Sequence, residues 1–356
     1  MSAVANDAPI AAQRAPTVPG LSPGARSWRR FKSNRRGYWS LWIFGFLFVL
    51  SLFAEVLSND KPLFVSYKGQ WFTPLFHDYP ETTFGGDFRT PTDYLDPFIR
   101  DQIARNGWML AAPNPYRFDT IDYFAERPNP APPSARNRLG TDDRGRDVLA
   151  RLIYGFRVSV LFGLALTVIG VLVGVLAGAV QGYFGGRTDL LLQRFIEVWG
   201  SMPELYLLII FAAIFRPSIL LLVILLSLFG WMGLADYVRA EFLRSRNLDY
   251  VKAARAMGLS DGSIIRRHLL PNSMMPVVTF LPFRVSGAIL SLTSLDFLGL
   301  GVPPTTPSLG ELLAQGKENL DAWWISLSTF TVLVGMLVLL IFIGEALREA
   351  LDPRRG

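Results

Sequence analysis

The stretch LDYVKAARAMGLSDGSIIRRHLLPN, from Leu248 to Asn272, lies between two long apolar runs and is named here the basic segment. Its apolar residues recur at the spacing of an amphipathic helix, with Lys and Arg between them. Gly258 is typical of a helix end, and Ser260 is suited to cap a second helix. We expect the chain to turn at Pro271 into the next apolar run. The pattern predicts two short helices that meet at an angle at the edge of a membrane.

Two interpretations of the basic segment are open on physical grounds. A basic amphipathic helix binds readily to the surface of anionic lipid. Alternatively, a helix pair that is longer than a simple connection offers a docking surface to another protein. The small residues Ala253 and Ala254 would let that protein come close. The identity of the binding partner therefore decides the function.

The composition indicates a membrane protein that crosses the bilayer several times. Hydrophobic residues make up 51% of the 356-residue chain, and several runs approach or exceed the ~18 to 20 apolar residues that cross a bilayer. The net charge of +6 comes from arginines beside those runs, which is typical of cytoplasmic loops and not of nucleic-acid binding. The absence of Cys and the presence of only two His exclude thiolate metal sites and disulfides and argue against a His-based triad.

The apolar runs predict six membrane-spanning helices with both termini in the cytoplasm. A cluster of arginines before the first run holds that end inside. Alternate crossing then places the loop 238–273, which contains the basic segment, on the same side. The predicted spans are Trp39 to Ser58 (within residues 38–58), Val158 to Val180, Leu190 to Phe215, Ile219 to Tyr237, Met274 to Leu298 and Ile325 to Ala346.

Other regions of the chain are polar. Residues 1–37 are predicted to be a cytoplasmic tail, disordered over about the first 25 residues. Residues 59–138, the insertion, are predicted to form a small periplasmic domain whose many prolines argue against long helices. Residues 139–157 are interpreted as a periplasmic link, whose second half, Asp147 to Tyr154, forms an interfacial helix. Residues 158–356 then make a five-helix core.

The basic segment resembles the EAA loop of ABC importer permeases. The resemblance rests on Tyr250-Val-Lys-Ala-Ala-Arg-Ala-Met-Gly258 and on the Leu270-Pro271-Asn272 that follows. Lys252 stands where that pattern has an acidic residue, and His268 where it has an Ile. The resemblance implies that the segment couples the permease to a separate ATPase. The residues assigned to this contact are Tyr250, Lys252, Ala253, Ala254, Gly258, Ser260, Leu270 and Pro271.

Further motifs are similar to those of dipeptide and oligopeptide permeases, most of all the Yej-type peptide permeases. The resemblance implies an all-α, six-helix permease of the type I ABC importer kind, with a small extracytoplasmic domain between the first and second helices. It also implies import of peptides, including microcin C-like peptide-nucleotides, across a bacterial inner membrane. The motifs are Asn34-Arg-Arg-Gly-Tyr-Trp-Ser-Leu-Trp-Ile-Phe44, Asn59-Asp-Lys-Pro-Leu63, Leu139-Gly-Thr-Asp142, Gly182-Tyr-Phe-Gly-Gly186, Phe297-Leu-Gly-Leu-Gly301, Pro307-Ser-Leu-Gly310 and Asp352-Pro353.

ATP chemistry is expected in another chain. The nearest phosphate-loop candidate, from Gly310 to Lys317, has its glycines one residue too far apart, and Glu318 stands where Ser or Thr is needed. We therefore expect no cofactor here, and ATP and Mg²⁺ in a partner ATPase. The other implied partners are a second homologous permease in a heterodimer, a periplasmic peptide-binding protein and membrane lipid, with no nucleic acid. The alternatives are a secondary transporter driven by an ion gradient and a membrane-anchored enzyme.

Two charged residues of the same predicted span are candidates for the substrate path. Arg284 lies near its middle and Asp296 near its outer end, where it could meet a peptide ammonium. They are about 18 Å apart along a helix and cannot pair with each other. Each either faces the path or pairs with another helix. In a separate span, the spacing Gly170-x-x-x-Gly174-x-x-x-Gly178 predicts close approach of a neighbouring helix.

Overall fold

The structure, a computed structural model, describes residues 23–123 and 127–352. The first 22 residues of the predicted tail and the last four residues of the chain lie outside this range. The described residues are mostly helical. The helices are α1 (Pro23–Ser33), α2 (Arg35–Leu52), α3 (Ala54–Leu57), α4 (Pro97–Asn106), α5 (Val148–Phe184), α6 (Gly186–Gly200), α7 (Glu204–Ile214), α8 (Ile219–Ser227), α9 (Met232–Ser245), α10 (Asp249–Ala256), α11 (Asp261–Ile264), α12 (Leu270–Phe297), α13 (Leu309–Glu318) and α14 (Trp323–Leu351).

Helix α5 is the centre of the membrane core. It has 37 residues and is therefore about 55 Å long. It packs against α9 and α12 and, less extensively, against α2 and α14. Val160 of α5, Ile289 of α12 and Leu333 of α14 belong to one buried apolar cluster. Every large helix of the core thus reaches α5 or one of its direct neighbours.

Four helical stretches among the described residues are long and apolar enough to cross a membrane. Helices α6 and α7 meet at a bend of 64° and give a fifth span if they are taken together. The four are Val148–Phe184, Ile219–Ser245, Asp261–Phe297 and Trp323–Leu351.

The predicted first span, Trp39 to Ser58, does not meet the same criterion. Helix α2 has 18 residues, begins with Arg35 and Arg36, and ends at Leu52, where the short α3 follows. The two arginines lower the mean hydropathy of the whole helix. By length and composition the described residues give at most five spans, one fewer than the six predicted.

Two predicted breaks between helices are absent. The expected interfacial helix Asp147 to Tyr154 is the first part of α5, because Asp147 caps that helix through the Ala150 backbone N–H at 2.8 Å. The expected turn at Pro271 does not occur either. A π-helical turn, Ile265–Leu269, joins α11 to α12, so that one helix runs from Asp261 to Phe297. The π turn changes the hydrogen-bond register just before the proline, which lets the helix continue.

The insertion contains a small antiparallel sheet, so the all-α prediction does not extend to it. The strands are β1 (Phe64–Tyr67), β2 (Gln70–Phe72) and β3 (Gly107–Leu110), in the order β2-β1-β3. Lys68 and Gly69 form the hairpin turn with φ of 48° and 77°, as a tight two-residue hairpin requires. In register, Val65 faces Phe72 on one side and Met109 on the other.

Candidate coupling segment and membrane cavity

The inner face of the basic segment is packed firmly on the membrane core. Val251, Ala254, Ile264 and Leu269 are all buried. They form one apolar cluster with side chains of α5 and α9, among them Phe242, which is fully buried. The basic segment is therefore packed against the membrane core as part of its hydrophobic interior.

The outer face of the basic segment exposes apolar side chains to the surroundings. Met257 is 72% exposed and Tyr250 is 38% exposed. Ala253 is also exposed, whereas Ala254 is buried in the core. Only one of the two alanines predicted to contact a partner therefore lies on the surface. Exposed apolar groups among basic residues are typical of a surface that another molecule covers.

Gly258 makes the corner between α10 and α11. Its φ is +79°, in the region that favours glycine, and a Cβ at this position would meet no atom within 4 Å. The predicted helix stop at Gly258 is thus confirmed. Ser260 precedes α11, but its side chain makes no capping hydrogen bond, so the predicted cap is wrong in that respect.

The other residues assigned to the coupling contact lie along the same surface. Lys252 is exposed and lies 3.5 Å from Asp249 of the preceding turn. Pro271 is exposed, and Leu270 is half-buried. The structure therefore leaves most of the assigned residues open to a partner while Ala254 alone among them is buried.

Tyr183, near the end of α5, ties the basic segment to the longest helix of the core. Its hydroxyl donates a hydrogen bond to Asp261 at the start of α11. Arg255 of α10 donates to the same hydroxyl at 3.3 Å and lies over the ring at 5.6 Å. That hydrogen bond holds the pKa of Arg255 above its usual value. Both short helices of the segment are thus attached to one side chain of α5.

A cavity of about 550 Å³ opens among α5, α7, α12 and the turn between α8 and α9. Arg284 of α12 lines it and donates from Nη2 to the Gly230 carbonyl at 2.5 Å. Its Nε has no hydrogen-bond partner among the described residues. A Cβ on Gly170 of α5 would lie 2.8 Å from Arg284 Nη2, so a glycine there gives the guanidinium its space.

Asp296, the second predicted path residue, does not line this cavity. It is 8% exposed. One carboxylate oxygen accepts from the Val302 backbone N–H at 2.8 Å, and the other accepts from the Ser308 hydroxyl. Asp296 therefore holds the loop that follows α12. Of the two predicted path residues, only Arg284 lines the cavity.

A buried group of charges was missed by the sequence analysis. Arg146 contacts Asp142 at 2.6 Å and Glu311 of α13 at 3.2 Å. Arg151, which is completely buried, also pairs with Glu311. Asp142 accepts from the backbone N–H groups of Arg144 and Arg146 in its own turn. No signal in the sequence links Glu311 to residues so far upstream.

Two family models match parts of the chain. Residues 170–356 match the family described as binding-protein-dependent transport system inner membrane component. Residues 22–91 match the N-terminal TM domain of oligopeptide transport permease C. Among solved structures, the MetNI methionine ABC transporter in an inward-facing conformation aligns with a TM-score of 0.48 and 17% identity, over 57% of this chain and 97% of that one.

Two relatives match nearly the whole chain. The peptidoglycan transport system permease protein YejE of Agrobacterium fabrum is 53% identical over 96% of both chains. The inner membrane ABC transporter permease protein YejE of Escherichia coli is 54% identical over 94% of this chain and 99% of that one. The similarity to Yej-type permeases is thus confirmed, and the chain belongs to the family of inner membrane components of binding-protein-dependent transport systems, with the YejE permease proteins.

Proposed function

We propose that the chain is the permease subunit of an ATP-driven importer of peptides, energised through the basic segment by a separate ATPase. The observation that carries the proposal is the division of this segment into two faces. One face is buried against α5 and α9, and the other presents Tyr250, Ala253 and Met257 to a partner. One relative is named as an inner membrane ABC transporter permease and the other as a transport system permease, so the ion-gradient alternative is set aside.

The continuous helix from Asp261 to Phe297 supports a mechanism for the coupling. A partner that moves the basic segment moves the cytoplasmic end of this helix, because α11 continues into α12 and the apolar cluster packs α10 against both. Arg284 lies 21 residues after Ser263, about 30 Å along the same helix. Closure of an ATPase around ATP would therefore tilt α12 and change the cavity that Arg284 lines.

The substrate class follows from the relatives. One relative is named for peptidoglycan transport and others for oligopeptide and dipeptide transport. We propose peptides as the substrate of this chain, including oligopeptides, peptide portions of peptidoglycan and microcin C-like peptide-nucleotides. The cavity lining supports broad selection, since its apolar residues offer few groups that could read a particular side chain.

The partners follow from the family. A member of a binding-protein-dependent system works with a substrate-binding protein and an ATPase. We propose further that ATP and Mg²⁺ are bound by that ATPase, that a second homologous permease forms a heterodimer with this chain, and that both termini are cytoplasmic. The cavity is not closed by the residues of this chain that line it, which supports a permease partner that completes its wall.

Gly258→Arg tests the coupling. A long cation at the open corner should block close approach of the ATPase, so ATP-dependent peptide uptake by the assembled transporter should fall at least about tenfold, as expected when a contact of about 1.4 kcal/mol is lost. The amount of permease in the membrane should stay the same. Gly69→Arg is the matched control: it has φ of +77° and equally open surroundings, but lies in the hairpin of the insertion.

The two variants separate docking from backbone strain, because both force an arginine into the same left-handed conformation. Co-purification of the ATPase should be lost with Gly258→Arg and kept with Gly69→Arg. Normal uptake by Gly258→Arg would overturn the proposal. An equal loss with both variants would also count against it, since strain alone would then explain the effect.

A further inference from the structure

Arg284 lies in the middle of a membrane-spanning helix and forms no ion pair with any carboxylate of the described residues. One nitrogen donates to the Gly230 carbonyl, and its Nε has no hydrogen-bond partner in the part of the chain that the structure describes. A charged side chain within a bilayer is costly and is found where it meets a partner or a functional path. Arg284 lines the cavity, while its unpartnered Nε is buried.

Glu204 brings the opposite charge to the same cavity. It is the first residue of α7, at the bend between α6 and α7, and it lines the cavity together with Arg284. Within residues 23–123 and 127–352 it makes no ion pair and no side-chain hydrogen bond. The two charges are therefore held in one cavity without neutralising each other.

The other lining residues are mostly apolar or small. They include Leu166, Met202, Leu226 and Phe229, with hydroxyl groups only from Thr167 and Ser291. The volume of about 550 Å³ lies within the ~300 to 1,000 Å³ that small-molecule sites occupy. A ligand that suits this lining carries one negative and one positive group and variable uncharged parts between them.

We propose that this cavity binds the charged ends of a peptide, with Arg284 donating to the terminal carboxylate and Glu204 accepting from the terminal ammonium. The inference rests on the proposed function and adds the group that the permease recognises. A planar guanidinium fits a carboxylate with two parallel hydrogen bonds. Every unmodified linear peptide has both ends, so a site of this kind accepts many sequences, and it holds a peptide with one blocked end through the other end alone.

Uptake of three probes by the assembled transporter tests this assignment. The probes are trialanine, its C-terminal amide and its N-acetyl derivative. For each probe the quantity compared is the ratio of uptake by variant and by wild type, which cancels any preference of the substrate-binding protein. Arg284→Gln should lower the ratio for trialanine by about tenfold, the value of one charged hydrogen bond, and leave the ratio for the amide near one.

Reciprocal and conservative variants extend the test. Glu204→Gln should lower uptake of trialanine by a similar factor and leave uptake of the N-acetyl derivative unchanged. Arg284→Lys keeps the charge and should restore part of the trialanine uptake. Arg194→Gln and Glu197→Gln are matched controls, because those residues form an exposed ion pair on α6 and do not line the cavity. Neither control should change any ratio.

The outcomes distinguish this inference from the proposed function. If wild type shows no ATP-dependent uptake of any probe, the proposed function fails. If wild-type uptake depends on ATP but Arg284→Gln lowers all three probes equally, Arg284 only supports the Gly230 turn and the site assignment is wrong. Unchanged ratios for both Arg284→Gln and Glu204→Gln would likewise overturn the assignment.

Discussion

Asp147 joins the insertion to the membrane core through a single carboxylate. One oxygen accepts from the Asn114 amide and from the Ala150 backbone N–H, both at 2.8 Å. The other accepts from the Asn137 amide at 3.1 Å. Burial raises the pKa of Asp147, and these three hydrogen bonds oppose the rise. The same side chain therefore caps α5 and holds two separate parts of the insertion.

We expect Asp147→Ala to lower the free energy of unfolding by about 2 to 4 kcal/mol, because the cap is lost and two buried amides lose their acceptor. Asp143→Ala is the control: Asp143 is exposed in the same turn, and its loss should change stability by less than about 0.5 kcal/mol. Thermal unfolding in detergent, followed by circular dichroism, measures both. Equal shifts for the two variants would contradict this role.

In the basic segment, the helix corner was predictable from the sequence, and the contacts of the individual side chains were not. The positive φ of Gly258 was predictable, because a glycine between two amphipathic stretches is a local signal. The division between Ala253 and Ala254 was not, since it depends on where α5 and α9 lie. Ser260 has the right residue type for a cap, yet its hydroxyl makes no capping bond. Local chemistry predicted the corner, and tertiary packing decided the contacts.

The glycines of α5 form a stripe that lets α9 approach. A Cβ on Gly178 would lie 2.4 Å from the Ala235 carbonyl oxygen, and one on Gly182 would lie 2.4 Å from Phe242 Cβ. The predicted close approach of a neighbouring helix is thus confirmed for α5 and α9. The spacing of small residues along one helix was sufficient for this prediction; the identity of the facing helix was not contained in it.

We expect Gly178→Ala to destabilise the protein by about 1 to 3 kcal/mol, because the added methyl group overlaps backbone atoms of α9 that cannot move alone. Gly335→Ala in α14 is the matched control, since a Cβ there meets nothing within 4 Å. It should be neutral or slightly stabilising through its helix propensity. Detergent thermal unfolding and the yield of folded protein compare them. A tolerated Gly178→Ala would show that the helices separate easily.

Elements far apart in the chain are joined by contacts that no local pattern predicts. Glu311 of α13 reaches Arg146 and Arg151 at the start of α5. Removal of one member of a buried group of this kind leaves another charge unpaired, which is why such contacts hold elements together. The unbroken helix across Pro271 is a similar case: the residue type suggested a break, and the π turn before it prevented one.

At the scale of the molecule, the insertion has a core of its own. Phe84 is fully buried, and its ring centroid lies 5.2 to 5.6 Å from those of Tyr67, Phe72 and Tyr94. The number of aromatic residues in the insertion predicts an aromatic core, but Trp71 and Phe76 do not belong to it and are 68% and 74% exposed. The sheet was not predictable, because its strands are three or four residues long and β3 lies some 40 residues from β1.

Helix α2 decides how many times the chain crosses the membrane. Helix α2 packs along α14 so closely that a Cβ on Gly37 would lie 2.1 Å from Ala346 Cβ. Its 18 residues extend about 27 Å, slightly less than the ~30 Å hydrocarbon core, and such a mismatch is tolerated at modest cost. We therefore expect α2 to cross despite its two arginines, which would lie at the cytoplasmic surface.

Single cysteine reporters test this topology, because the chain has no cysteine of its own. In intact spheroplasts, Asp87→Cys in the insertion and Asp321→Cys before α14 should react with a membrane-impermeant maleimide. Ser33→Cys and Ser260→Cys should react only after permeabilisation, because both residues are exposed and the proposed orientation places them in the cytoplasm. If Ser33→Cys reacts from outside together with Asp87→Cys, α2 does not cross. The basic segment would still face the ATPase if Ser260→Cys stays protected, because the crossings from α5 onward fix its side independently of α2.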